Sequence, residues 1–194
     1  MHDIAIPSPD TLQVPWGWFQ ILLTVTFTLH VLMMNAMFGG AVVTLLGGLR
    51  RSGPASLAAR DAAGRVPTLI ALAVNLGVAP LLFLQVLYGH LFYTSSIVMA
   101  GWWFAIIGVM IVAYYAAYIT YFKYDRPIRP VANWLTVLLL AFVGFMFVNN
   151  NTLALTPERW GAWFDDPSGS FLNLGEPTLW PRYLHMIIGA IAVG

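Results

Sequence analysis

The sequence predicts an all-α, polytopic membrane protein: a four-helix bundle plus a fifth, incomplete transmembrane helix, with the N-terminus outside. Three observations carry that prediction. Hydrophobic residues make up 59% of the 194 positions and charged residues 9%, well below the quarter usual in soluble domains. The apolar residues gather in runs far longer than barrel strands, and in hydrocarbon only helices or a closed barrel satisfy every backbone group. Charge is confined to the segments between those runs. Residues 1–194 therefore read as a single membrane domain, because the polar segments are too short to hold another.

Each element follows from the same reasoning. Residues 1–15 are polar and contain proline, without the charged head and short apolar stretch of a cleavable signal, so the first helix is expected to direct insertion itself. That helix spans about 16–49 and opens on Trp16, Trp18 and Phe19, an aromatic belt suited to a headgroup interface. The pairs Gly39–Gly40 and Gly47–Gly48 permit a kink or close helix packing. Arg50, Arg51, Arg60 and Arg65, with Asp61 and many small residues around them, read as a short loop over 50–65. A second helix is expected at about 67–93, an uncharged connection at 94–101, a third helix at 102–122 and a fourth at 131–148. Lys123, Asp125, Arg126 and Arg129 lie between the last two. Two alternate loops thus hold seven of the nine basic residues, and the positive-inside rule places them in the cytoplasm of a cell whose inner (plasma) membrane holds the chain. The segment 149–177 has Glu158, Asp165, Asp166 and Glu176 against Arg159, as suits an external loop, and Trp160, Trp163 and Phe164 suggest that part of it lies on the interface. The fifth run, 179–194, stops short of the roughly 20 residues a span needs, so the chain reads as ending inside a helix.

Composition also excludes several functions. A net charge of +1 without a basic stripe offers nothing to nucleic acid. The absence of cysteine removes disulfides, thiolate metal sites, iron–sulfur ligation and covalent c-type haem. Any haem iron would be held by histidine or methionine.

Ionisable residues in hydrocarbon are costly and tend to mark ligands or pathways. His30 lies within the first helix, with Met33, Met34 and Met37 on the same face. That face offers a haem ligand and a polarizable apolar surface; a packing face with one bonded histidine is the plainer reading. His90, near Gln85 and Tyr88 at the outer end of the second helix, is either a ligand or an interfacial histidine bonded to water. His185 follows Arg182 and Tyr183 at the outer start of the fifth run. The three histidines come from three helices and fall on one side of the membrane, which points to a shared cofactor region. Arg182 or Arg159 would pair with propionates, and each serves equally well as a headgroup anchor.

In order and spacing these residues resemble subunit I of the cytochrome bd quinol oxidases, from the first helix to the chain's end. Leu29-His30-Val31-Leu32-Met33-Met34-Asn35 is similar to the family's segment with a first-helix haem-ligand histidine. Asn75-Leu76-Gly77-Val78-Ala79 with Gln85 and Tyr88-Gly89 resembles its N-x-x-x-G-V-A-T-G…E-F-Q-F-G motif. Tyr124-Asp125-Arg126 resembles Trp-Asp-Arg after the third helix, and Val148-Asn149-Asn150 resembles Ala-Asn-Gly after the fourth. Tyr183-Leu184-His185 is similar to the start of the family's fifth helix, where another haem histidine lies. The departures are Gln85 in place of a glutamate and a third helix without an acid. Because an amide releases no proton, oxygen reduction by this chain alone is not expected. The family's quinol-binding loop and further axial ligands lie beyond the part that this chain matches.

The resemblance implies an iron-containing b-type cytochrome of the respiratory chain, an oxidoreductase component carrying electrons between the quinone pool and an external carrier such as a c-type cytochrome. Haem b, in unspecified number, is the expected cofactor. His30, His185 and His90 are the candidate iron ligands, with Arg182, Met34 and Gln85 as further cofactor contacts. Lipid and other subunits of a membrane complex are the expected partners. A transporter or channel subunit, and an assembly subunit without cofactor, are the alternatives from other classes.

Overall fold

The computed structural model describes residues 6–9, 11–49 and 53–194; Arg50 and Arg51, two of the basic residues counted above, lie outside them. The described residues are helical with no strand. Four helices are long and apolar enough to cross a membrane: α1 (Trp16–Gly48), α2 (Pro54–Val98), α3 (Ala100–Phe122) and α4 (Arg129–Ala154). A 3-10 turn (Pro157–Arg159) and the single-turn α5 (Ala162–Asp165) follow. The last helix, α6 (Leu179–Val193), has 15 residues and is about 22 Å long, short of the roughly 30 Å of a hydrocarbon core.

The boundaries differ from expectation in three places. From Pro54 onward the expected loop over 50–65 is helix. Proline is pre-organised for the first helical turn, where its missing N–H costs nothing, and Ala55, Ala58, Ala59, Ala62 and Ala63 favour helix strongly. Pro67, which reads as a helix start, lies inside α2 together with Pro80; each removes one internal hydrogen bond without ending the helix. At its other end α2 runs to Val98, and Met99 alone separates it from α3. The fourth helix continues to Ala154, so Asn149, Asn150 and Asn151 stand on its last turns and not in a loop.

α1 and α2 lie antiparallel along their length. Gly47 abuts Ala55 and Ala59, Gly40 faces Val66, and His30 meets Gly77. Phe19 meets Phe83 at a centroid distance of 6.3 Å, and Tyr88 Oη donates to Gln20 Oε1 at 3.3 Å. Small residues let these backbones approach, the usual device where lipid removes the hydrophobic drive between helices. α6 packs beside α1, with Ala190 and Gly194 against Gly39, and antiparallel to α4, with Tyr183 Oη donating to the Ala141 carbonyl at 3.1 Å. One buried cluster joins Met37, Phe38, Ile70, Ala113 and Leu140 at mid-bundle; a second joins Met99, Met146, Leu153 and Trp160 at the α4 C-terminal end. The outward faces are largely apolar, and along α1 the threonine hydroxyls are satisfied locally. Thr24, Thr26 and Thr28 return their hydroxyls to the carbonyls of Gln20, Leu22 and Thr24 at 2.7–2.8 Å, the usual way a helix satisfies such hydroxyls within itself.

The two ends are tied differently. At the Arg60 end, Arg60 pairs with Asp125 at 3.0 Å. Arg60 and Arg129 both stack on the Tyr124 ring, and Arg129 Nη2 donates to the Gly48 carbonyl at 2.7 Å, satisfying an open carbonyl at the end of α1. At the opposite end the 155–178 segment is held by buried asparagines. The Asn173 backbone N–H donates to Asn149 Oδ1 at 3.2 Å, and Asn173 Nδ2 donates to Thr156 Oγ1 at 3.0 Å. Asn150 joins Ser95 and Ser96 of α2. Farther along this segment the Ser168 backbone N–H and the Ser170 hydroxyl donate to the Asp166 carboxylate, which holds that carboxyl below the usual carboxylate range.

Candidate functional site

His30 stands near the midpoint of α1 and turns toward α2. Its Nδ1 lies 2.9 Å from the Ala73 carbonyl oxygen. A carbonyl only accepts, so Nδ1 carries the proton and donates, and in the neutral ring Nε2 keeps its lone pair. This is the second contact that orients metal-binding histidines generally. The approach depends on Gly77: a Cβ there would stand 2.9 Å from Cε1 of the imidazole. Phe27 flanks the ring at a centroid distance of 6.4 Å. Met33 and Met34 are half-buried against the mid-bundle cluster, and Met37 lies within it.

His90 and Gln85 are brought together. Both line a cavity of about 280 Å³ between the upper part of α2, including Tyr93, and the 7–9 segment. The backbone at Tyr88 leaves helical geometry (φ −130°, ψ 23°), bending α2 where the cavity begins. His185 is exposed on α6. Its neighbours there are anchored: Tyr183 to Ala141, and Arg182 Nη1 to Asn151 Oδ1 at 3.1 Å. Arg159 is exposed in the 3-10 turn.

Helix register relates the three histidines. α1 and α6 run parallel and touch at Gly39, Ala190 and Gly194. At 1.5 Å per residue, His30 stands about 13 Å above that contact and His185 about 8–13 Å, so they share a level to within about one turn. They do not share a face. At about 100° per residue each ring is turned roughly 140–180° from the α1–α6 contact, His30 toward α2 and His185 outward. His90 lies about 20 Å farther along α2 than Gly77. Among the described residues no three histidine or acidic side chains come together as a metal site.

For several further residues only the tertiary contacts define a role. Gly77 carries no chemistry of its own, and only its contact with His30 gives it a role. Asn149 is fully buried, with Nδ2 unpartnered among the described residues, as is Trp103 Nε1; such groups ordinarily hold a water. Asn75 sits exposed on the outward face of α2. Compared with protein-family models, with curated proteins and with solved structures, the chain has no significant match.

Proposed function

We propose that this chain is a haem b-binding electron-transfer subunit of a membrane complex, similar to the N-terminal half of cytochrome bd subunit I. In this reading it passes electrons between the quinone pool and an external carrier such as a c-type cytochrome, with the Arg60 end in the cytoplasm. The observation that carries the proposal is His30: a half-buried imidazole in the middle of an apolar helix, one nitrogen committed to the Ala73 carbonyl and the other left with its lone pair. That nitrogen would be able to hold a haem iron. Bound haem supplies the one-electron redox change; the chain supplies ligation, a low-dielectric surround and orientation. His185 and His90 would serve separate positions, because register parts them from His30. Arg182, anchored on Asn151, suits a propionate at the α4 C-terminal end. Oxygen reduction is not assigned to this chain, since Gln85 releases no proton and α3 holds no acid.

An assembly subunit without cofactor is the competing reading, favoured by the exposure of His185 on α6. A dithionite-reduced minus oxidised spectrum of the purified protein, with a pyridine haemochrome assay, separates the two. We expect sharp b-type bands and a haem-to-protein ratio that falls in His30→Ala while helix content by circular dichroism stays unchanged. An unchanged ratio and spectrum in that variant would remove His30 as ligand, and a featureless spectrum of the folded wild-type complex would favour the assembly role.

A further inference from the structure

We propose that the outward face of α2 pairs with the same face of a second copy of this chain, with Asn75 opposite Asn75 at the centre of the contact. Thr68, Leu72, Asn75, Leu82 and Val86 are all exposed and recur at intervals of three, four and seven residues, so they form one stripe along the helix. The buried residues Val66, Ile70, Ala73 and Pro80 lie on the opposite side. The stripe is apolar at Leu72, Leu82 and Val86 and passes through the level at which Ala73 meets His30. Thr68 and Asn75 are its polar positions, and Asn75 is the one with an amide. Its Nδ2 donates to the Ala71 carbonyl at 2.7 Å, which leaves the second amide N–H and Oδ1 for another partner. An amide left open to acyl chains is costly, because hydrocarbon offers neither donor nor acceptor.

Three features select a second copy as the occupant. The open groups of Asn75 are one donor and one acceptor, so the side chain is its own complement. Two copies inserted with the same topology and meeting on the same helix are related by a two-fold axis along the membrane normal, which makes the paired helices parallel and places equal residue numbers opposite each other. Thr68, Asn75 and Leu82 repeat every seven residues, the spacing of a two-stranded seam. A lone asparagine in such a seam sets register and pairing. The inference is independent of haem binding.

The chain contains no cysteine, so a single Leu82→Cys variant reports this contact directly. Oxidation in native membranes is expected to yield a disulfide-linked species of twice the 21.4 kDa chain mass, while Ile107→Cys, exposed on α3, stays monomeric. Adding Asn75→Leu to the Leu82→Cys chain should weaken pairing about tenfold, given the usual worth of interhelical hydrogen bonds in membranes. Asn75→Gln, which keeps both hydrogen-bonding groups, should preserve pairing in part. Asn75 is exposed, so the bundle is expected to fold in every variant, and circular dichroism checks this. Absence of the Leu82→Cys dimer, equal crosslinking in Asn75→Leu, or crosslinking to a chain of different mass would each overturn the proposal.

Discussion

At His30 the chemistry depends on which ring nitrogen is occupied. Donation from Nδ1 to the Ala73 carbonyl sets the tautomer, and Gly77 sets how close the ring can come. The two residues act together, which gives a test sharper than deleting the histidine. In Gly77→Ala the new methyl would stand 2.9 Å from Cε1, and the ring must shift to clear it. We expect an overpacking cost of about 1–3 kcal/mol and a displaced or weakened b-type absorbance although the histidine is intact. An unchanged spectrum with unchanged thermal stability would mean that the approach of α1 to α2 at this level does not matter to the site. Gln85 and His90 are a different case. Five residues apart, they would stand about 140° from each other around a regular helix, and the non-helical backbone at Tyr88 lies between them where both line one cavity.

Among the elements, α4 carries the least expected role. Its last turns present Asn149 to the Asn173 backbone and Asn150 to two serines of α2, so this helix end organises the segment leading to α6 and, through Asn151, to Arg182. Asn149→Ala would strip the Asn173 N–H of its acceptor in a buried site. A loss of about 1–3 kcal/mol is expected, and it should loosen the 155–178 segment more than the α1–α2 pair. Hydrogen exchange resolved along the chain would show faster exchange around Asn173 and unchanged protection in α1 and α2. Uniform destabilisation would mean that the cap and the bundle unfold as one unit. The asparagines read as loop residues in the sequence because Asn favours turns; their partners lie up to 55 residues away.

For the whole molecule the property to test is orientation. Placement of the Arg60 end in the cytoplasm rests on charge in alternate connections and says nothing of packing, so it requires its own measurement. Single cysteines placed at Ser8 and Lys123 in this cysteine-free chain should divide cleanly in intact cells. An impermeant maleimide is expected to label the first directly and the second only after permeabilisation. The reverse pattern would invert the topology and move the Asn149 cap inside.

The sequence by itself determined the helical class of the molecule and its four helices long and apolar enough to cross a membrane, because apolar run length is a local property that hydrocarbon enforces without reference to neighbours. It also singled out His30, since an imidazole in such a run is conspicuous by composition alone. The early start of α2 was hidden by Pro67, whose bias toward helix starts is only statistical. Tertiary structure decided the rest. Whether a histidine faces another helix, as His30 does, or the surroundings, as His185 does, depends on rotation about the helix axis. That rotation follows from what the glycines let approach, Gly194 at Gly39 and His30 at Gly77. These are contacts between residues far apart in the chain, and no local pattern encodes their pairing.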